Sequence, residues 1–371
     1  MGAVNTEEHI AEAVAAATGP LVIRGGGTRS VGRPVVGTVL DVSGLSGVTL
    51  YEPGALTIVA RAGTPLAEIE ETLSRENQRL AFEPYDLTGL LGIPGATTIG
   101  GVMATNASGP RRIMAGAARD FALGVRMVDG AGQVIKNGGR VMKNVTGYDL
   151  VKLMCGSWGT LGVLTEVSLK VLPSVETETT LAIEALDPVQ AVAVMSRALG
   201  SPYEVSGAAW INGQVWLRLE GFEASVDYRA GMLMSVLSEY GEWARINADW
   251  GMVRDAKPLH GADAAWRVSV KPGDGPAIIA GLPEGCTTLM DWGGGLVWVG
   301  MSDGDIAAVH SALQHHVASL GGHATLIKGP ESVRATVPVF QPEAPGVAAL
   351  TTTLRQRFDP NGILNPGLMA A

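Results

Sequence analysis

The sequence predicts an α+β protein of two domains with a returning tail, and three observations predict it. The glycine loop at residues 25–27 leads from a strand into another strand and not into a helix. From residue 181 the pattern is strand, helix, strand pair, helix, and it then repeats. This gives two βαββα-type units closing into one antiparallel sheet with helices on one side. Between them, residues 174–180 are rich in Thr and Glu and mark a crossover. The expected divisions are 1–173, 174–330 and 331–371. The last is too short for its own core, so it should pack back on something earlier.

The elements follow in order. Residues 6–17 read as a helix with acidic residues in its first turn, and 21–24 as a short strand entering the loop RGGGTRS. Pro34 and the run TVLDV at 38–42 indicate another strand where a helix would otherwise begin. Residues 48–51 and 56–61 flank the turn Glu52-Pro53-Gly54. Thr64 and Pro65 open a helix to about residue 77, a capping residue followed by proline. Residues 86–112 lack clean periodicity. A hairpin then spans 121–139 and turns at Asp129-Gly130, where the glycine is expected to serve turn geometry alone. A strand at 163–172 ends the first domain. In the second, helices are expected at 188–199, 224–239, 276–281 and 305–320. Strands are expected around Asn212-Gly213 and at 266–271, 287–292, 296–300 and 323–328.

Bulk composition narrows the function classes. With 46% hydrophobic and 17% charged residues in 371, the chain reads as a well-buried globular protein. A net charge of −9 argues against a nucleic-acid partner, which demands basic surface. Cys155 and Cys286 are the only cysteines, too few and too far apart for a disulfide framework or a metal knuckle. The acidic Thr6-Glu7-Glu8-His9 does not resemble a signal peptide, and no apolar run nears membrane-spanning length. A cytoplasmic location is expected, with membrane contact only through partners.

Glycine is concentrated in blocks, and blocks mark sharp turns or close approach to a ligand. The first, Gly25-Gly26-Gly27 followed by Thr28, Arg29 and Ser30, offers converging backbone amides to a phosphate. It is neither a P-loop nor a Rossmann fingerprint, lacking the lysine of the one and the third glycine and following helix of the other. A plain tight turn is the alternative. The second, GATTIGGVMATNASG, leaves a flat trough for a planar ligand, or else small-residue packing between helices. The third, GSWGTLG, stands before a strand and could simply ease a turn. Together the three read better as one extended dinucleotide, pyrophosphate at one end and a tricyclic ring at the other.

The ordered segments RGGGTRSVGRP, GATTIGGVMATNASGPRR, RDFALGVRMVDGAGQVI, VMKNVTGYDL and GSWGTLGVLTEVSLKVLP resemble the FAD-binding domain of vanillyl-alcohol-oxidase-type flavoproteins. The segments WINGQVWLRLEG, AAWRVSVKPG, DWGGGLVW, GGHATLIKG and FDPNGILNPG extend the resemblance toward the FAD-binding subunits of bacterial glycolate oxidases. The resemblance implies FAD, an FAD-binding domain of two α+β subdomains, and an antiparallel α+β cap. It implies that Arg24, Gly25, Gly26, Gly27, Thr28, Arg29 and Ser30 surround the pyrophosphate. Pro94, Gly95, Thr98, Gly100, Gly101, Ala104, Thr105 and Ser108 would line the isoalloxazine and ribityl. Gly156, Gly159, Gly162 and Val163 would pass beneath the adenosine or ribityl side, and Asn365 would reach the ring. It further implies oxidation of a small 2-hydroxy acid such as glycolate. A partner FAD-containing subunit and an iron–sulfur subunit would complete the complex, electrons passing to the iron–sulfur partner.

The chain departs from its relatives in three places. Residues 20–60 hold no His or Cys, so covalent FAD attachment is not expected. No H-x-G-D-G-N metal motif occurs, so no metal site is expected; an FAD-loaded scaffold or electron relay without its own turnover is the alternative function. Leu368 stands where a basic residue often follows NPG. Candidate chemistry then falls to the cap. Alternation places Arg267, Ser269 and Lys271 on one strand face, and an arginine fork matches a carboxylate. His323 and Trp292 are candidates to face the ring. Salt bridging or snorkelling for Arg267, and structural roles for the other two, are the alternatives. Lys143, Asn144, Tyr148 and Asp149 either order a loop near the flavin or cap and pack a helix. His315 and His316 read as surface residues, and Cys155 as a buried apolar one.

Overall fold

A computed structural model describes residues 4–140, 147–184 and 186–370; Lys143 and Asn144 lie outside it. Helix Glu7–Ala15 is capped by Thr6, whose hydroxyl accepts from the His9 amide, and it buries Ile10 and Val14. Strands Leu21–Arg24 and Thr38–Asp41 pair in parallel. A parallel pair needs a crossover of a dozen or so residues, and the glycine loop supplies it. A five-stranded antiparallel sheet follows, ordered Val48–Glu52, Thr57–Arg61, Val163–Lys170, Ala122–Val128, Val134–Gly138. Helix Leu66–Ser74 packs Leu66, Ile69 and Leu73 into the core; Pro65 precedes it. The segment without clean periodicity holds the short helices Thr88–Leu91 and Ile99–Ala104.

The expected second sheet is present and has eight strands, all antiparallel. Their order is Ala244–Ile246, Thr177–Ile183, Gln214–Gly221, Gly207–Ile211, Thr287–Asp291, Leu296–Met301, Ala264–Ser269, His323–Lys328. The three-residue edge strand Ala244–Ile246 carries no alternation and escapes sequence reasoning. Helices Pro188–Leu199, Glu223–Val236, Gly275–Ala280 and Ile306–Ser319 pack against the sheet. Trp266 faces the last of them and donates from its indole to His310 Nδ1 at 3.0 Å. Register puts Arg267, Trp298, Leu289 and Arg218 on the opposite face, turned toward the N-terminal domain. Tyr85 meets Trp298 edge-on there, ring centroids 6.3 Å apart.

The tail does return. Leu364 bridges Leu21 in parallel; the Leu21 amide donates to the Ile363 carbonyl at 2.7 Å and the Asn365 amide to the Leu21 carbonyl at 3.0 Å. Gly130 does more than turn a chain. An added Cβ would stand 2.3 Å from Asp359 Oδ1, so the hairpin tip is packed against the end of helix Pro345–Phe358.

Candidate functional site

The first two glycine blocks meet backbone to backbone. A Cβ on Gly26 would lie 1.7 Å from the Ala96 carbonyl oxygen, and one on Gly25 would lie 2.7 Å from Thr98 Oγ1. Gly95, at φ +141°, presses back on the Gly26 carbonyl. Only glycine permits this contact. A cleft of about 410 Å³ opens beside it, and the loop Arg24–Ser30 forms one wall. Thr98, Gly100, Gly101, Ala104 and Thr105 form the second wall, and Gly159, Gly162 and Val163 with Asn365 form the third. On the far side of the loop, Pro94 borders a second cavity of about 650 Å³.

Other sequence-selected residues sit behind these walls. The Ser108 hydroxyl donates to the Asn106 carbonyl and accepts from the Ala118 amide. Gly156, at φ +98°, donates to the Met103 carbonyl. Arg24 pairs with Asp41 at 3.1 Å, and Thr98 caps helix Ile99–Ala104. Asn365 lines the cleft, but its amide is committed to protein: Oδ1 accepts from Ile23 N at 2.8 Å and Nδ2 donates to the Trp158 carbonyl at 3.0 Å. Asp149 caps helix Leu150–Met154, and Tyr148 is exposed. Burial pushes the Cys155 thiol up to about 12, which keeps it neutral.

The donors in the cleft fit an anionic, extended cofactor. Among the described residues, no backbone N–H from Gly25 to Ser30 donates to a protein acceptor. A run of free amides is an anion nest. Arg29 donates one bond, from Nη2 to the Tyr85 carbonyl at 2.8 Å, and lies over the Tyr85 ring. Its Nε and Nη1 are buried without a partner. Desolvation lowers its pKa, partly offset by Tyr85, Asp86 and Asp255. Buried guanidinium hydrogens without acceptors are costly, and a phosphate would satisfy them.

The cap contributes a second group. Trp292 is buried, donates from Nε1 to the Gly109 carbonyl at 3.0 Å, and so ties the turn after strand Thr287–Asp291 to the second glycine block. The Arg267 guanidinium carbon stands 4.9 Å from its ring centroid. Arg267 forms no salt bridge or hydrogen bond among the described residues, and its Nε is buried and unpartnered. Desolvation lowers its pKa against the charges of Tyr85 and Asp291. Arg112, which sequence reasoning passed over, lies 4.4 Å from the same ring. Its only sequence signal is the Arg-Arg pair closing the second glycine block. His323 keeps surface open to solvent, yet desolvation and the nearby charges of Arg267 and Arg112 lower its pKa. Asp291, wholly buried and also unforeseen, is raised to about 7 by desolvation, and its carboxylate accepts from the Trp292 amide at 2.7 Å.

Comparison with known proteins agrees with this geometry. A family model described as an FAD binding domain matches residues 3–138. The chain is 36% identical over 367 residues to glycolate oxidase subunit GlcE of Escherichia coli (strain K12), covering 98% of this chain and 96% of that protein. It is 31% identical over 214 residues to a D-lactate dehydrogenase of Archaeoglobus fulgidus, covering 52% of this chain and 46% of that one. To glycolate oxidase subunit GlcD of Bacillus subtilis it is 33% identical over 177 residues, or 44% and 34% of the two chains. A solved structure of alkyldihydroxyacetonephosphate synthase superposes with a TM-score of 0.68 at 17% identity, covering 97% of this chain and 74% of that one. That likeness concerns the fold, which is of the vanillyl-alcohol-oxidase type. The cofactor is FAD. The chain belongs to the family of FAD-linked oxidoreductases that includes the glycolate oxidase subunit GlcE.

Proposed function

We propose that this chain is the FAD-carrying subunit of a glycolate oxidase (dehydrogenase) complex, oxidising glycolate to glyoxylate. Electrons would pass to an iron–sulfur partner, and FAD would be held without a covalent bond. Arg267 carries the proposal: a half-buried arginine whose Nε is buried and unpartnered, on the sheet face turned toward the FAD-binding domain. Relatives named as subunits of glycolate oxidase support an assembly of several chains. No helix among the described residues is long and apolar enough to cross a membrane, so membrane contact is assigned to partners. The division at 173 and 330, with the last segment returning to the flavin, belongs to the same proposal.

The residues divide the work. The amides of Gly25 to Ser30, with Arg29, take the pyrophosphate, and the trough from Gly95 to Thr105 takes the flavin. FAD, when bound, supplies a two-electron acceptor for the hydride on the substrate carbon. Arg267 grips the substrate carboxylate through two parallel hydrogen bonds. Trp292, fixed by the Gly109 carbonyl, holds that guanidinium by its ring face. His323 is neutral at pH 7, because its pKa is depressed, and accepts the substrate hydroxyl proton on a ring nitrogen.

The test is rapid-mixing reduction of the FAD-loaded chain by glycolate without oxygen, alone and in its complex. Arg267→Lys should retain FAD and lose ten- to a hundredfold in rate constant at low substrate. That is the scale of about 1.5–3 kcal/mol for a charged hydrogen bond an ammonium cannot reproduce. Unchanged turnover in the complex would remove Arg267 from the site. A wild-type chain that glycolate does not reduce would replace this function with that of a relay or scaffold.

A further inference from the structure

We propose that Arg112, Trp292 and Arg267 form a dianion site, where a 2-hydroxy dicarboxylate binds more tightly than a 2-hydroxy monocarboxylate. This rests on Arg267 being the anchor of a substrate carboxylate and adds Arg112 as the anchor of a second. Both guanidinium carbons lie close to a single indole, at 4.4 and 4.9 Å from its centroid. The indole is itself immobilised, its Nε1 by the Gly109 carbonyl and its backbone amide by Asp291. The ring on which both cations pack is therefore fixed by the fold before any ligand arrives.

Neither cation is neutralised by the protein. Among the described residues no carboxylate comes within salt-bridge distance of Arg112 or Arg267. Desolvation, and next the charge of Arg267, weaken the hold of Arg112 on its proton, so the two are close enough to repel. The acids nearby are otherwise engaged. Asp120 accepts from the Ala117 amide and stands 3.7 Å from Arg119, and Asp291, raised to about 7, is half protonated near neutrality. His323, depressed, adds no charge there at pH 7. Two cations on one ring leave a monocarboxylate one charge short. A diacid compensates both, and each charge-assisted bond strengthens where water is excluded.

Calorimetric titration of the FAD-loaded protein, alone and in its complex, compares hydroxymalonate (the smallest 2-hydroxy diacid) with glycolate. Hydroxymalonate is expected to bind ten- to a hundredfold more tightly, the scale of one added charged hydrogen bond. Arg112→Gln should abolish most of that ratio and Arg112→Lys restore part of it, with FAD content confirming a folded site. A diacid that binds no more tightly than glycolate would overturn the proposal. So would an Arg112→Gln variant that weakens both ligands equally, which is how a merely structural arginine behaves. Arg267→Gln separates the two levels: if it leaves both affinities unchanged, the carboxylate anchor itself is wrong and both readings fall. If it weakens both and the wild-type ratio is already near one, only the dianion proposal falls.

Discussion

Arg111 and Arg112 are neighbours in sequence and end in opposite electrostatic worlds. Arg111 gives two bonds to Glu220, at 2.9 and 2.7 Å, and Arg218, 1% exposed, gives two to Glu83, at 2.9 and 2.8 Å. Burial raises both carboxyls, but the charges and hydrogen bonds of the two arginines outweigh it and hold both below the usual range. Across the same sheet face, Arg112 and Arg267 have an indole and no acid. Both clusters link residues 79–112 to the eight-stranded sheet. The first is complete and serves to join them. The second has charge to spare, and buried charge left over is the mark of a place where something else must bind.

The contrast can be broken by removing its complete half. Glu83→Ala would strand the Arg218 guanidinium while Arg111 keeps Glu220, and unfolding by denaturant should show a loss of about 3–5 kcal/mol. A loss under about 1 kcal/mol would mean that the network does not hold the domains together. The glycine loop is the next largest test. Gly26→Val, which drives a side chain into the Ala96 carbonyl, should weaken FAD retention at least tenfold by a flavin-release assay, on the order of 1.4 kcal/mol. Gly261→Val, at a site with no atom within 4 Å, is the comparison and should retain FAD; Gly130 would not serve, because Asp359 crowds it.

A third test sharpens the charge account. The folded pKa of Asp291, about 7, is raised above that of an ordinary aspartate, so its proton favours the fold. That contribution is complete below about pH 4 and fades as pH rises through 7. Asp291→Asn should flatten the decline in melting temperature between pH 5 and 8, and an unaltered slope would count against a protonated Asp291. The smallest expected effect is the most telling. Arg267→Met replaces an uncompensated buried charge by an apolar chain, so stability should stay within about 1 kcal/mol or rise. A loss of several kcal/mol would show Arg267 to be structural after all.

What sequence reasoning could see was local or periodic. Alternation along WRVSV put Arg267 on the face away from Trp266, and the strand–glycine–strand pattern of RGGGTRS located a cleft wall. The Glu83 network was invisible because its five members come from three segments far apart in sequence, at 79–83, 111 and 218–220. Asn365 was found by its motif, but its two hydrogen bonds to Ile23 and Trp158 are long-range facts of packing. Arg112 could be suspected from the Arg-Arg pair, yet nothing local says which of the two faces an acid and which an indole. Asp291 falls inside the expected strand at 287–292, and nothing local signals the burial that raises its pKa.

The Asn365 amide has a consequence for how the protein comes into being. It joins the strand that enters the glycine loop to the Trp158 carbonyl beside Gly159, across 342 residues of sequence from Ile23. A ribosome must add every one of those residues before Ile23 N and the Trp158 carbonyl acquire their shared partner. The cleft wall is thus finished late in synthesis, well after the glycine loop has emerged. A chain cut before residue 365 would lack that link, and a flavin-release assay on tail-trimmed protein tests whether FAD retention depends on it.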